Sequence, residues 1–184
     1  MTLPIPETHP LRELFRTLSH KNLLGVVRLE RPDIADYLTD LLARFAHADD
    51  PSRIGEAKDR PLEDVGEMLL EADRQERGGF VYPVREIRRH IGDFTLFFLG
   101  MFPEWVADHA TTRLPGMCVD WSKEGKRSYQ IVSEFRFEPF EREAALYAAL
   151  ADHFDFCAAG LNLVRQDLRQ LSDPRYAWIR AALG

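Results

Sequence analysis

The sequence lacks the residues that would mark several large classes of protein. It has two cysteines, Cys118 and Cys157, and neither lies in a Cys-x-x-Cys pair or at zinc-ligand spacing. Positive charge is in deficit, since 24 Lys and Arg stand against 30 Asp and Glu, which gives a net charge of −6. Generic attraction to nucleic-acid phosphates or to an anionic membrane surface is therefore not expected.

Long apolar runs are also missing. The most apolar stretch, FTLFFLGMF from Phe94 to Phe102, has nine residues, far fewer than the roughly 20 that a membrane-spanning helix needs. The N-terminal sequence MTLPIPETHPLRELF has no basic region followed by an apolar one, as a secretory signal would. The sequence thus predicts a cytoplasmic protein with no nucleic-acid partner and no membrane partner.

No familiar catalytic or cofactor motif occurs in the chain. It contains no Gly-x-Gly-x-x-Gly, no phosphate-binding loop, no Gly-x-Ser-x-Gly elbow and no His-Glu-x-x-His. The sequence therefore leaves any cofactor unknown and assigns no metal ligands. Whether the protein is an enzyme stays open, and so does the binding of a small molecule.

Helical periodicity dominates what is present. With 184 residues and 45% hydrophobic residues, the chain suits one globular domain. We predict an all-α, single-domain multi-helix bundle over 1–184, in which residues 1–10 form an extended lead-in. The segment 23–27 is interpreted as a short strand or a buried turn. The expected helices are 11–19, 32–48, 61–77, 83–101, 104–110, 119–137, 140–171 and 174–183.

The longest pattern is a heptad-like seam from Glu143 to Leu171, with steps that alternate between four and three residues. It predicts one long C-terminal helix that packs closely against its neighbours, with a kink near Gly160 and Asn162. Two interpretations remain open for the seam. We favour the spine of an intramolecular bundle, and the alternative is the interface of a homodimer.

The central helix changes character along its length. From Phe94 onward it is apolar nearly all round, and a helix of this kind is buried. Asp93 stands at the transition from the polar half to the apolar half. Because burial disfavours its charged form, Asp93 is expected to need a partner.

The candidate binding site lies around this transition. Glu86, His90 and Asp93 share one stripe of the helix, and Arg89 is placed to pair with Asp93. Tyr129, beside Gly125 on a later helix, would bring a hydroxyl to a helix contact. One interpretation is a polar pocket that binds a ligand or a metal. The other, which we favour, is a local ion-pair network that orients the helix.

A short basic cluster, Arg85, Arg88 and Arg89, precedes the apolar segment. These side chains could bind a phosphate group, but the pattern is more typical of a solvated helix face.

One resemblance goes beyond composition. The string Arg89-His90-Ile91-Gly92-Asp93, the string LFFLGMFPE at 96–104 and the string Gly125-Lys126-Arg127-Ser128-Tyr129 resemble a motif of an uncharacterised bacterial helical protein family of unknown function. The resemblance implies a recurring helical fold and no named activity. It marks the Gly92-Asp93 and Gly125-Tyr129 neighbourhoods as the first places to look for a site.

Two functional hypotheses follow. The first is an interaction or regulatory protein, suggested by the absent catalytic motifs and by the seams. The alternative is a small-molecule- or metal-binding protein, with enzymatic activity left open, that uses Glu86, His90 and Asp93.

Overall fold

The computed structural model of the protein describes residues 5, 8–46, 65–109 and 119–177. Within them, 82% of the residues are helical and none forms a strand, which confirms the all-α prediction. The α-helices, in chain order, are α1 (Pro10–His20), α2 (Pro32–Phe45), α3 (Val65–Arg77), α4 (Val81–Met101), α5 (Pro103–His109), α6 (Trp121–Ser133), α7 (Glu141–Asp152) and α8 (Phe154–Gln170). A 3₁₀ turn, Pro174–Tyr176, follows α8. The rest of the predicted terminal helix and residues 61–64 lie outside the described residues.

Helix starts follow local chemistry. Proline opens α1, α2 and α5, at a position where its missing N–H costs nothing. Polar side chains cap two of the starts. The Nδ1 of His9 accepts a hydrogen bond from the backbone N–H of Leu11 at 3.2 Å. Asp120 accepts one from the N–H of Lys123 at 3.0 Å, which satisfies one of the orphan donors of α6.

The described helices fall into two compact units, one from residues 1–62 and 156–184 and the other from residues 63–155. Each unit has its own apolar core. The single domain expected over 1–184 stays a prediction.

The first unit contains α1, α2 and most of α8, with a π-helical segment at Lys21–Val26. The strand or turn expected at 23–27 is therefore wrong. In the π segment the N–H of Val27 donates to the carbonyl of Asn22, five residues earlier, at 2.9 Å. The Asn22 side chain donates both to the Leu18 carbonyl and to Asp167 on α8, at 3.0 and 2.8 Å. These hydrogen bonds fix the π segment against α1 and α8. The pattern of apolar residues in the sequence could not predict them.

The second unit is built around α4, and its core is aromatic. Ring centroids of Phe94 and Phe98 lie 4.6 Å apart, and Trp121 lies 5.6 Å from Phe94. Every residue from Ile91 to Phe98 is buried, and the all-round apolar pattern predicts this burial from Phe94 onward. Small residues allow α4 and α6 to approach closely. A Cβ on Gly125 would meet Thr95 of α4, and a Cβ on Gly92 would lie 2.5 Å from the ring of Tyr129.

The predicted C-terminal helix of 140–171 is interrupted. Helix α7 ends at Asp152, His153 adopts a non-helical conformation (φ −107°, ψ 18°), and α8 starts at Phe154. Asp and His are weak helix formers, and the Asp155 carboxylate is favoured in the first turn of the new helix. Residues 160–162 lie inside α8, so the interruption is at His153, and the kink expected at 160–162 stays a prediction.

The seam is buried on both sides of this break. Tyr147, Leu150, Phe154, Cys157, Leu161, Val164 and Leu168 are all buried within the single chain. Their burial supports the intramolecular interpretation of the seam. The homodimer stays a prediction.

Candidate functional site

Two of the predicted site residues meet in the core of the second unit. The Tyr129 hydroxyl donates a hydrogen bond to Oδ1 of Asp93 at 2.8 Å. Asp93 is 5% exposed and Tyr129 is fully buried. One partner of Asp93 is therefore on α6, and Arg89, the partner that the sequence suggested on its own helix, attracts it electrostatically.

Glycine makes this meeting possible. Since Gly92 has no side chain, the ring of Tyr129 can lie directly against the backbone of α4. The same ring packs against Tyr147 and Phe154, with centroids 5.7 and 6.0 Å away. The phenol is thus fixed on several sides, which orients its hydroxyl towards Asp93.

Glu86 and Arg89 form a second pair one turn earlier on α4. Arg89 Nη2 donates to Glu86 Oε2 at 2.7 Å, and Arg85 Nη1 donates to the other carboxylate oxygen at 2.7 Å. Burial by itself lowers the pKa of Arg89. The nearby Tyr147, Asp93 and Glu86 outweigh burial and hold this pKa above its ordinary value. Arg89 therefore stays charged and links the two pairs electrostatically.

His90 is exposed, and its ring centroid is 6.2 Å from that of Phe94. No group of three or more His, Cys, Asp or Glu side chains in the described part of the chain is arranged to hold a metal ion. Of the predicted site, the structure thus joins Asp93 to Tyr129 and Glu86 to Arg89. This arrangement favours the ion-pair network over a site that converges on a ligand.

The basic cluster is not the solvated face that the sequence suggested. Arg85 and Arg88 are only 3% and 2% exposed, and both guanidinium groups reach other helices. Arg85 pairs with Glu143 of α7 and lies 3.9 Å from the ring centroid of Phe140. Arg88 Nη2 contacts Asp73 of α3 at 3.1 Å. The charged partners come from distant parts of the sequence, so helical periodicity alone could not reveal this burial.

Sequence reasoning missed an exposed aromatic surface at the start of α4. Phe80, Val81 and Tyr82 are 58%, 46% and 57% exposed, and Phe137 is 45% exposed. Phe140 connects the two segments, with its ring 5.3 Å from Tyr82 and 5.9 Å from Phe137. We call these five residues the aromatic patch. The available signal was the string Phe-Val-Tyr directly after Gly78-Gly79, ahead of the periodic part of the helix.

Comparison with known proteins gives no family and no relative. No family model matches the chain, and neither the curated proteins nor the solved structures contain a significant match. The resemblance to bacterial helical proteins therefore stays a prediction. In the described residues, no helix combines the length and the apolar character that crossing a membrane requires.

Proposed function

We propose that this chain is a non-enzymatic interaction protein of the cytoplasm that docks a partner protein on its aromatic patch. The observation that carries the proposal is the exposure of Tyr82 and Phe137, whose rings both contact Phe140, together with the exposure of Phe80 at the start of the same helix. Large contiguous apolar surfaces are rare on monomeric proteins and mark interaction sites. Aromatic residues are also the side chains that contribute most at protein interfaces. The buried free thiol of Cys157 suits the reducing cytoplasm.

The patch has a rigid foundation. Phe140 lies over the guanidinium of Arg85, which is itself paired with Glu86 and Glu143. The edge-to-face contact of Tyr82 with Phe140 then fixes the start of α4 against the start of α7. A preformed aromatic surface loses little entropy on binding, which favours recognition.

The charges around the patch indicate the chemistry of the partner. Among the exposed residues of 76–86 and 134–143, six are acidic and three are basic. The acidic residues are Glu76, Glu86, Glu134, Glu138, Glu141 and Glu143, and the basic ones are Arg77, Arg136 and Arg142. Electrostatic complementarity therefore favours a partner segment whose apolar side chains are flanked by Lys or Arg. A second copy of this chain would bring two acidic rims together, which opposes a homodimer through the patch.

A designed peptide tests this proposal. The probe is a fluorescent amphipathic helix with Leu and Trp on one face and Lys and Arg on the other, and its matched control carries Glu in place of the basic residues. We expect the basic peptide to bind the full chain saturably, and to bind less tightly at high salt. Replacement of Phe80, Tyr82 and Phe137 by Ser should weaken binding at least about tenfold.

Controls come from exposed apolar residues outside the patch. Val26→Ser and Leu70→Ser change side chains that are 56% and 49% exposed, and we expect both variants to bind like the original chain. Equal binding of the triple variant, or equal binding of the acidic peptide, would overturn the proposal. Sedimentation of the original chain and of the triple variant is a second test. A dimer that dissociates in the triple variant would show that the aromatic patch binds another copy of the chain.

A further inference from the structure

Arg88 is a buried cation whose hydrogen-bonding capacity is mostly unused. Its side chain is 3% exposed, and one nitrogen, Nη2, contacts Asp73 at 3.1 Å. Its Nε and Nη1 are buried and have no hydrogen-bond partner among the described residues. Buried polar groups almost always have partners, and a charged donor without one is costly. The ion pair with Asp73 therefore accounts for one nitrogen of this guanidinium and leaves two without a partner.

The two neighbouring arginines share the feature. Arg85 and Arg89 lie at i−3 and i+1 from Arg88, and the Nε atom of each is also buried without a partner. Three guanidinium groups thus occupy less than two turns of α4. Their carboxylate partners Asp73, Glu86 and Glu143 are 50% to 55% exposed. The carboxylates therefore lie towards solvent, while the unused N–H groups lie inside.

We propose that Arg88, flanked by Arg85 and Arg89, binds a small oxyanion, such as a phosphate or a carboxylate group. The guanidinium group is planar and its N–H groups match the oxygens of these anions. An oxyanion accepts hydrogen bonds from the unused N–H groups and is also attracted by the guanidinium charge, whereas a neutral water molecule only accepts the hydrogen bonds. Because Asp73 is half exposed and in contact with Arg88, the guanidinium is one side chain away from solvent.

The proposal makes a prediction that a purely structural ion pair does not. If Arg88 served only to pair with Asp73, its removal would lower the midpoint of thermal unfolding. If the main role of Arg88 is to bind an anion, Arg88→Met should leave the unfolding midpoint of the free chain unchanged or raise it, because buried N–H donors without partners disappear. The half-exposed carboxylate of Asp73 can then be hydrated by solvent.

The experiment uses inorganic phosphate as the probe and the full chain as the target. Thermal unfolding and titration calorimetry are measured in phosphate and in sodium chloride of equal ionic strength. We expect phosphate to raise the unfolding midpoint saturably, and Arg88→Met to abolish the response. Arg88→Lys keeps the charge but loses the planar donors, and it should weaken phosphate binding at least about tenfold. The matched control is Arg74→Met, which removes an exposed arginine paired with Glu71 on α3.

Each outcome decides the question. The proposal is overturned if phosphate has no effect beyond that of chloride, if the effect survives in Arg88→Met, or if Arg88→Met destabilises the free chain. If Arg88→Met does not fold, the original chain and Arg88→Lys decide by their phosphate titrations. The same titration with acetate distinguishes the two kinds of ligand. A chain that binds acetate but does not bind phosphate would have a carboxylate ligand. The peptide assay of the aromatic patch is independent of these results.

Discussion

Tyr129 and Asp93 are joined by a hydrogen bond of 2.8 Å although they lie on different helices of the second unit and both are buried. The contact satisfies a carboxyl group at the point where α4 enters the apolar core. It also sets the distance between α4 and α6, because the ring of Tyr129 rests on Gly92. The same two residues therefore belong to the candidate site and stabilise the second unit.

Removal of the Tyr129 hydroxyl tests the strength of this contact. We expect Tyr129→Phe to lower the free energy of unfolding by about 1.5–3 kcal/mol, the usual range for a buried hydrogen bond to a charged group. Urea unfolding followed by circular dichroism measures the loss. Tyr82→Phe is the control, since Tyr82 is 57% exposed and its substitution should change stability by less than about 0.5 kcal/mol. An equal loss in both variants would contradict the assigned role.

The close approach at Gly92 predicts a steric effect. In Gly92→Ala the new methyl group would lie 2.5 Å from a Tyr129 ring that is packed on several sides. Overpacking of this kind costs about 1–3 kcal/mol, and better helix propensity offsets only about 1 kcal/mol of it. Gly25→Ala is the matched control, because nothing lies within 4 Å of its Cβ. We expect Gly25→Ala to be neutral or slightly stabilising in the same urea experiment.

Cys157 should be chemically silent in the folded chain. Burial raises the pKa of its thiol to about 12, so little reactive thiolate exists at pH 8. In a Cys118→Ser background, we expect iodoacetamide to label Cys157 only after denaturant is added. Mass spectrometry of the labelled chain measures this directly. Rapid labelling without denaturant would show that the thiol is accessible and would contradict the packing of α8.

Acid should weaken the anchor of the π segment. Burial alone would raise the pKa of Asp167, but hydrogen bonds from Asn22 and Lys21 outweigh it and hold this pKa below its ordinary value of 3.8. The carboxylate thus contributes stability that is present above pH 3.8 and is lost as the pH falls through the lower pKa of the folded chain. We expect Asp167→Ala to cost about 1 kcal/mol at pH 7.

The pH profile of this variant provides the check. The difference in unfolding free energy between Asp167→Ala and the original chain should shrink as the pH drops below 3.8, because the original chain then loses the same charge. Urea unfolding at a series of pH values measures the difference. A gap that stays constant down to pH 2 would exclude the charge as its origin.

Hydrophobic periodicity predicted those features of the fold that depend on the sequence of a single helix. The burial of α4 from Phe94 to Phe98 follows from its all-round apolar composition, and this prediction is confirmed. The break at His153 was not predictable in this way, because the seam keeps its spacing from Leu150 to Phe154 and Cys157 on both sides of the interruption. A side-chain pattern reports which face is buried and is insensitive to one non-helical backbone residue.

The candidate site was harder to predict, for a related reason. Glu86 and Arg89 are neighbours on one helix, but the sequence assigned Arg89 to Asp93 and did not predict their pair. The partners of Arg85 and Arg88 are Glu143 and Asp73, which lie far away along the chain and come close only after α3 and α7 have packed against α4. The aromatic patch is likewise formed by two segments that the sequence separates.

Because of the π segment, the number of residues between α1 and α2 is important for the fold. A wider turn accommodates one residue more than an α-helical turn does, and each residue of an α-helix corresponds to a rotation of about 100°. Loss of a single residue between Lys21 and Val26 would therefore turn α1 about its own axis, and Leu11, Phe15 and Leu18 would leave the core that they now occupy. For this part of the chain a change of length is far more disruptive than a change of residue type.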